Sequence, residues 1–108
     1  MDKPYTYIGN LAQEVQIPKN GILSRTVFND DRVKVIVFGF DAGQELSAHT
    51  APIPAVIHIL DGEAGIRLGG DVVEGHPGTW IHMTPQLEHG IHAKTPVVML
   101  LFLLKQPN

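Results

Sequence analysis

Turn signals recur at short intervals along this chain, and their spacing constrains the fold more than any other feature. The runs between them are mostly about four to nine residues long and are rich in Val, Ile, Leu, Phe and Thr. Such runs, bounded by Gly, Pro, Asn and Asp, are typical of short antiparallel strands, whereas helical spacing is confined to a weak candidate at 11–16. The sequence therefore predicts an all-β sandwich or barrel. The turn signals lie at 18–21, 29–31, 41–43, 61–62, 69–71, 75–78 and 95–96.

Two of the predicted strands are apolar on both faces. In 33–40 the only charged residue is Lys34, and 97–104 is apolar throughout. A strand of a one-layer sheet would expose one face to water, so two apolar faces indicate a core on one side and a cover on the other. The cover is either a second sheet of the same domain or a second copy of the chain. We expect a homodimer.

Composition argues against several classes of protein. The net charge is −3, with acidic and basic residues interspersed, which is not typical of a nucleic-acid-binding surface. The longest apolar run, 97–104, is far shorter than the roughly 20 residues that a membrane helix needs. The chain has no cysteine, and 1–10 lacks the apolar stretch of a secretory signal. We therefore expect a cytoplasmic protein that binds neither nucleic acid nor membranes.

The chemistry of the chain lies in its six histidines, all of which fall within 49–92. His49 stands just before a predicted strand and His89 just after a turn-like segment, so the two can meet at the mouth of a barrel. His58 and His82 lie inside apolar strands, where a buried imidazole needs a hydrogen-bond partner or a metal. Imidazole is the commonest protein ligand of transition metals, so these four are the candidate ligands. A lone strand histidine is more often a core or surface residue.

Four further residues are candidates for the wall of a small-molecule pocket. Trp80, Phe38 and Met83 are apolar side chains of suitable size, although each would serve equally well as core. Arg25 shares a strand face with apolar neighbours and is able to reach a substrate carboxylate. A salt bridge at the rim is the simpler alternative for Arg25.

A segment in the middle of the chain has the spacing of a known motif. Gly43 is followed after five residues by His49, and Gly62 closes the segment. In these positions the chain resembles the first motif of the cupin superfamily, which supplies two histidines and a glutamate as metal ligands. Ala51 stands at the position of the second histidine and Ala55 at that of the glutamate.

A second segment resembles the other cupin motif, which supplies the fourth ligand. Gly78 and His89 match its first glycine and its histidine. The resemblance to the family extends over about 39–104, which is most of the chain. Three other motif positions differ from the family, and the residues that stand there are Thr84, Gln86 and Ala93.

The resemblance implies a fold, a cofactor and an assembly. The fold is a single cupin domain over 1–108, a double-stranded β-helix or RmlC-like jelly roll, with an arm and first strand in 1–20 and the barrel in 21–108. Cupins of this small kind are commonly homodimers. The cofactor is a divalent transition metal such as Fe, Ni, Mn or Zn, and it acts on a small organic molecule. His49 and His89 are the ligands that remain of the family's four.

Three functions stay open at this point. The chain is a metal-dependent enzyme, a small-molecule-binding or sensor barrel without metal, or a structural dimer. A third metal ligand would be His82 or His58. Strict alternation from His49 places His58 on the opposite face, whereas a bulge at 52–54 would reverse it. The loop 84–88 hides the register of His82 against the second motif.

Overall fold

The computed structural model describes residues 3–106 and confirms the all-β prediction. Within these residues the chain forms nine strands and one short 3-10 helix. The runs rich in β-branched and aromatic residues are the strands, and Gly, Pro and Asp turns separate them. The strands are β1 (Ile22–Asn29), β2 (Val33–Phe40), β3 (Glu45–His49), β4 (Ala55–Asp61), β5 (Ala64–Leu68), β6 (Asp71–Gly75), β7 (Trp80–Met83), β8 (His89–Ala93) and β9 (Val97–Leu104).

The strands form two antiparallel sheets that face each other as a double-stranded β-helix. One sheet has the order β1-β2-β9-β4-β7, and the other has the order β3-β8-β5-β6. Strands that are distant in sequence lie side by side, because β2 pairs with β9 over its whole length and β3 pairs with β8. The pairing of β3 with β8 places the strand that ends at His49 next to the strand that begins at His89.

The main core lies between the two sheets. In β4 the alternating residues Ala55, Ile57 and Ile59 point into it and are buried. Phe40 from β2 and Ile66 from the second sheet are fully buried in the same cluster. Burial of one such large apolar side chain stabilises the fold by about 1.5–3 kcal/mol. Period-two alternation therefore decides which side chains line the interior.

A second apolar cluster lies on the outer face of the five-stranded sheet. Val37 of β2 and Leu100 of β9 are buried there together with Val15 of the N-terminal segment. This segment passes so close to β2 that a Cβ at Gly39 would lie 3.0 Å from the Ile17 side chain. The main core therefore covers one face of β2 and β9. The N-terminal segment of the same chain covers part of the other face.

The N-terminal segment contains no strand within 3–21, so the prediction of a first strand in 1–20 was wrong over the part that the structure describes. The chain instead forms the 3-10 helix Leu11–Glu14. The Asn10 side chain caps it by accepting the backbone N–H of Ala12 at 3.1 Å, which favours a helical turn over extended chain. Among the described residues no helix is long and apolar enough to cross a membrane.

Candidate functional site

His49 and His89 lie opposite each other on adjacent strands. They are register partners where the end of β3 pairs with the start of β8. Their ring centroids are 4.4 Å apart, and the ring planes are inclined at 52°. His89 is 8% exposed, whereas His49 is exposed to solvent at the end of its strand. The structure therefore brings the two motif histidines together as a pair with one buried and one accessible member.

A β-bulge in β3 turns His49 toward the barrel interior. Between Leu46 and His49 the register shifts, so that β3 has one more residue than the facing stretch of β8. Leu46 and His49 are three positions apart, so strict alternation would put their side chains on opposite faces, but with the bulge both line one cavity. Gly90 makes room for the bulge, because a Cβ there would lie 3.0 Å from the Leu46 carbonyl oxygen and 3.2 Å from the Ala48 nitrogen.

Backbone carbonyls orient both imidazoles. Nδ1 of His49 lies 3.0 Å from the carbonyl oxygen of Ser47, and Nδ1 of His89 lies 2.9 Å from that of Leu87. A carbonyl oxygen only accepts, so each Nδ1 carries the proton and donates it. In the neutral ring the lone pair then resides on Nε2. The pair therefore offers two electron-pair donors side by side.

A small cavity of about 40 Å³ lies next to the histidine pair. Since one water needs roughly 10–15 Å³ of cavity volume, this space admits a group of a few non-hydrogen atoms. Apart from the two imidazoles, the side chains around it are apolar, and any polar atom of a ligand there must meet the histidines. The lining residues are Phe38, Leu46, His49, Ile57, His89, Gly90, Ile91, Met99 and Leu101.

Solved structures with the same architecture are numerous. A conserved protein of unknown function from Streptococcus pyogenes is 30% identical, with 98% of this chain and 93% of that one covered and a TM-score of 0.85. A cupin superfamily protein from Desulfitobacterium hafniense is 25% identical, with 95% and 94% covered and a TM-score of 0.85. This chain belongs to the cupin superfamily. An RmlC-like cupin from Desulfovibrio desulfuricans, 24% identical over 93% of this chain and 97% of its own, shares the fold with a TM-score of 0.83. No protein-family model and no curated protein matches the sequence.

The site does not fit the divalent metal centre that the cupin family implies. Ala51 and Ala55 stand where the family has a histidine and a glutamate, and neither side chain has a donor atom. Ala55 is instead buried in the main core. Over residues 3–106 no three His, Cys, Asp or Glu side chains lie close enough together to hold one ion. A centre with three protein ligands of these types therefore cannot form here without rearrangement.

His58 and His82 do not join the pair. The neighbours of His58 in β4 point into the core, so alternation turns His58 outward, where its Nδ1 lies 3.1 Å from the carbonyl oxygen of Thr79. His82 is exposed in β7, the edge strand beside β4. The irregularity that the sequence allowed at 52–54 does not bring His58 inside. Both residues lie on the outer face of the five-stranded sheet, so the prediction that one of them is a third metal ligand beside His49 and His89 is not supported by their positions.

Three of the four predicted pocket residues also lie away from the cavity. Trp80 is 62% exposed, because its position in β7 faces outward. Met83 is buried in the main core but is not a wall of the cavity. Arg25 is exposed on β1, with its guanidinium 4.0 Å from the Glu14 carboxylate, which agrees with the salt-bridge alternative. Phe38 does line the cavity.

Reasoning from the sequence missed most of the cavity wall. Met99 and Leu101 come from β9, a strand that is apolar on both faces, so its pattern does not reveal which residues face inward. Leu46 was missed because the bulge breaks the alternation that relates it to His49. Pairing of β9 between β2 and β4 is the information that identifies its inward residues.

Proposed function

We propose that this cupin is a ligand-binding protein in which the Nε2 atoms of His49 and His89 jointly hold one electron-pair acceptor and so fix a small ligand in the barrel. The observation that carries the proposal is the histidine pair itself. The ring centroids are 4.4 Å apart, and each Nδ1 is engaged by a backbone carbonyl. Both Nε2 atoms are then free to act on the same group. The divalent metal centre of the family is not needed for this function.

The chemistry of the site favours an organic ligand with a hydrogen-bond-donating head, such as an amine, an amide or a hydroxyl. Two neutral Nε2 atoms accept hydrogen bonds and donate none. An anionic head has no proton to donate, so two neutral Nε2 atoms cannot hydrogen-bond it. The cavity of about 40 Å³ takes the head and only the first carbon atoms attached to it, which contact the apolar walls. The rest of the ligand would extend past exposed His49 toward solvent.

A second candidate function is a metal-dependent enzyme that acts on a small organic molecule. In this case Fe, Ni, Mn or Zn would be bound by His49 and His89. One observation favours it, since a ring whose Nδ1–H is donated to a carbonyl is the usual orientation of a metal-binding histidine. Because the chain supplies two imidazoles, water or substrate would complete the coordination of the metal.

The metal content of untagged protein, together with a thermal-shift screen of small amines, amides and alcohols, tests the proposal. We expect substoichiometric metal, no stable reloading with Zn, Ni, Mn or Fe, and ligand binding that falls about tenfold in His49→Ala and in His89→Ala. His82→Ala is the matched control, because this histidine is exposed on the outer face. Near-stoichiometric divalent metal that both changes abolish would replace the proposal by the second candidate.

We also propose that the protein is a homodimer that associates through the outer face of the five-stranded sheet. Trp80 is 62% exposed on this face, and large exposed aromatic side chains are typical of protein interfaces. Trp80→Glu should then shift the mass in solution from dimer to monomer. Val72→Glu is the control, because Val72 is 71% exposed on the other sheet. A wild-type protein that remains monomeric at every concentration would refute the dimer.

A further inference from the structure

A methionine lines the same cavity as the histidine pair. Met99 is 3% exposed and is one of the walls of the cavity. Alternation in β9 directs Met99 inward with Val97 and Leu101, whereas Val98 and Leu100 pack in the outer cluster. The methionine comes from the five-stranded sheet, and the histidines come from the four-stranded sheet that faces it. Three residues with potential donor atoms therefore line one small space, and they come from two sides of it.

We propose that His49, His89 and Met99 form a site for a cuprous ion, with two imidazole nitrogens and one thioether sulfur as ligands. This inference rests on the proposed function, because it uses the same two Nε2 atoms and names a specific electron-pair acceptor. Thioethers are soft ligands that select Cu(I), whereas carboxylate and water suit harder ions. A methionine is therefore a meaningful third ligand for copper and a poor one for Mn(II) or Fe(II).

The charge of the ligand set favours a monovalent ion. All three donors are neutral, and Ala55 stands where the family has a glutamate. Within the described residues no carboxylate joins the histidine pair as a third ligand group. The cost of placing an ion among apolar walls grows with the square of its charge, so an uncompensated divalent ion is penalised more than Cu(I).

The size of the cavity favours a low coordination number. A volume of about 40 Å³ admits a bare ion and few other atoms, which leaves little room for the waters that a six-coordinate ion would keep. Metal–nitrogen bonds are about 2 Å long, and rings with centroids 4.4 Å apart are close enough to direct both Nε2 atoms at one ion. Exposed His49 provides the route of entry.

Anaerobic titration with Cu(I) in competition with a chromophoric chelator tests this site. We expect Met99→Leu to lower the Cu(I) affinity about tenfold or more and to change the weak Zn(II) affinity less than about twofold. Met83→Leu is the matched control, because Met83 is buried in the same core but does not line the cavity. It should leave both affinities unchanged. His49→Ala should lower Cu(I) affinity further than Met99→Leu.

X-ray absorption at the copper edge gives a second readout that does not depend on affinity. Wild-type protein should show a copper–sulfur distance in addition to copper–nitrogen scattering, and Met99→Leu should lose the sulfur while keeping the nitrogen. Leucine replaces methionine at nearly constant volume, so both variants should fold, and thermal unfolding verifies this.

Three outcomes separate this inference from the proposed function. Equal Cu(I) affinities in Met99→Leu and Met83→Leu, or wild-type copper without a sulfur neighbour, would overturn the role of Met99 alone. Failure to bind Cu(I), with hydrogen-bonding molecules still held through His49 and His89, would overturn the copper site and leave the proposed function standing. If every ligand still bound after His49→Ala and after His89→Ala, the copper site and the proposed function would both be wrong.

Discussion

Two pairs of histidines in this barrel differ in what they can do, although all four stand in or at the end of short strands. His49 and His89 face the interior at paired positions, with ring centroids 4.4 Å apart. His58 and His82 occupy the other sheet and face outward. The difference comes from strand alternation together with one bulge in β3. A histidine in an apolar strand is therefore a ligand candidate only once the register of that strand is known.

Among single changes, Gly90→Ala is expected to have the largest effect on the inward position of His49. The added Cβ would meet the backbone of the bulge at 3.0 Å, so the bulge that turns His49 inward must shift. We expect a loss of about 2–3 kcal/mol in the free energy of unfolding, together with loss of ligand binding. Denaturant unfolding measures the first effect.

The matched control for this change is Gly65→Ala on the neighbouring strand. Its Cβ would have only the Lys94 side chain nearby, at 3.9 Å. The free energy of unfolding should then change by less than about 0.5 kcal/mol. Equal losses in the two variants would mean that the bulge does not depend on Gly90.

A second prediction separates stability from binding. His58→Ala and His89→Ala each remove a part-buried ring that hydrogen-bonds a backbone carbonyl. Each should lower the free energy of unfolding by about 1 kcal/mol. Only His89→Ala should weaken ligand binding, by about tenfold, which calorimetry measures. If His58→Ala weakened binding as much, the two pairs of histidines would not be functionally distinct.

Acid should weaken the attachment of the N-terminal segment to the outer face. The backbone N–H groups of Asn20 and Ala42 donate to the Asp41 carboxylate and hold its pKa below the ordinary value of 3.8. A carboxyl with a lowered native pKa stabilises the fold fully above its ordinary value. That contribution is lost as the pH falls below 3.8 through the native pKa.

The pH dependence of unfolding measures this contribution. Asp41→Asn should flatten the acid part of the curve of unfolding free energy against pH, whereas Asp71→Asn, at the start of β6 in the other sheet, should not affect attachment of the segment. A curve for Asp41→Asn that keeps the wild-type slope would show that this carboxylate does not secure the N-terminal segment.

The smallest effects are expected where residues other than glycine adopt a left-handed backbone. Gln86, in the loop before β8, has a φ of 68°, and Asn20, at the end of the N-terminal segment, has a φ of 56°. Gln86→Gly should raise the free energy of unfolding by about 0.5 kcal/mol, because glycine adopts this conformation without strain. Asn20→Gly should gain less, since asparagine tolerates it. Thermal unfolding measures both gains in stability. A larger gain for Asn20→Gly than for Gln86→Gly would contradict this account.

Much of the fold could be predicted from the sequence, because its signals are local. Turn residues and short β-rich runs indicate strands without any knowledge of the partners of those strands. Gly43, His49 and Gly62 match the first cupin motif, and it is this resemblance that implied the family. The N-terminal strand was predicted wrongly because Asn10 favours a capped turn in a segment that packs on the outside of the sheet.

The site was less accessible, because its members come from strands that are far apart in the chain. Met99 lies in a strand with two apolar faces, and Trp80 in one where either face was possible. The choice of face depends on how each strand pairs, which period-two alternation alone does not reveal.

The sequence by itself determined that this protein is an all-β sandwich or barrel, and its resemblance to the cupin motifs implied the family and the loss of two of the family's four ligands. Tertiary structure alone decided which side chains share the cavity. A bulge beside Gly90 turns His49 inward, and the pairing of β9 brings Met99 to the same space. The physical reason is that turn and strand propensities act over a few residues, whereas register is set by packing and hydrogen bonding between strands forty or more residues apart.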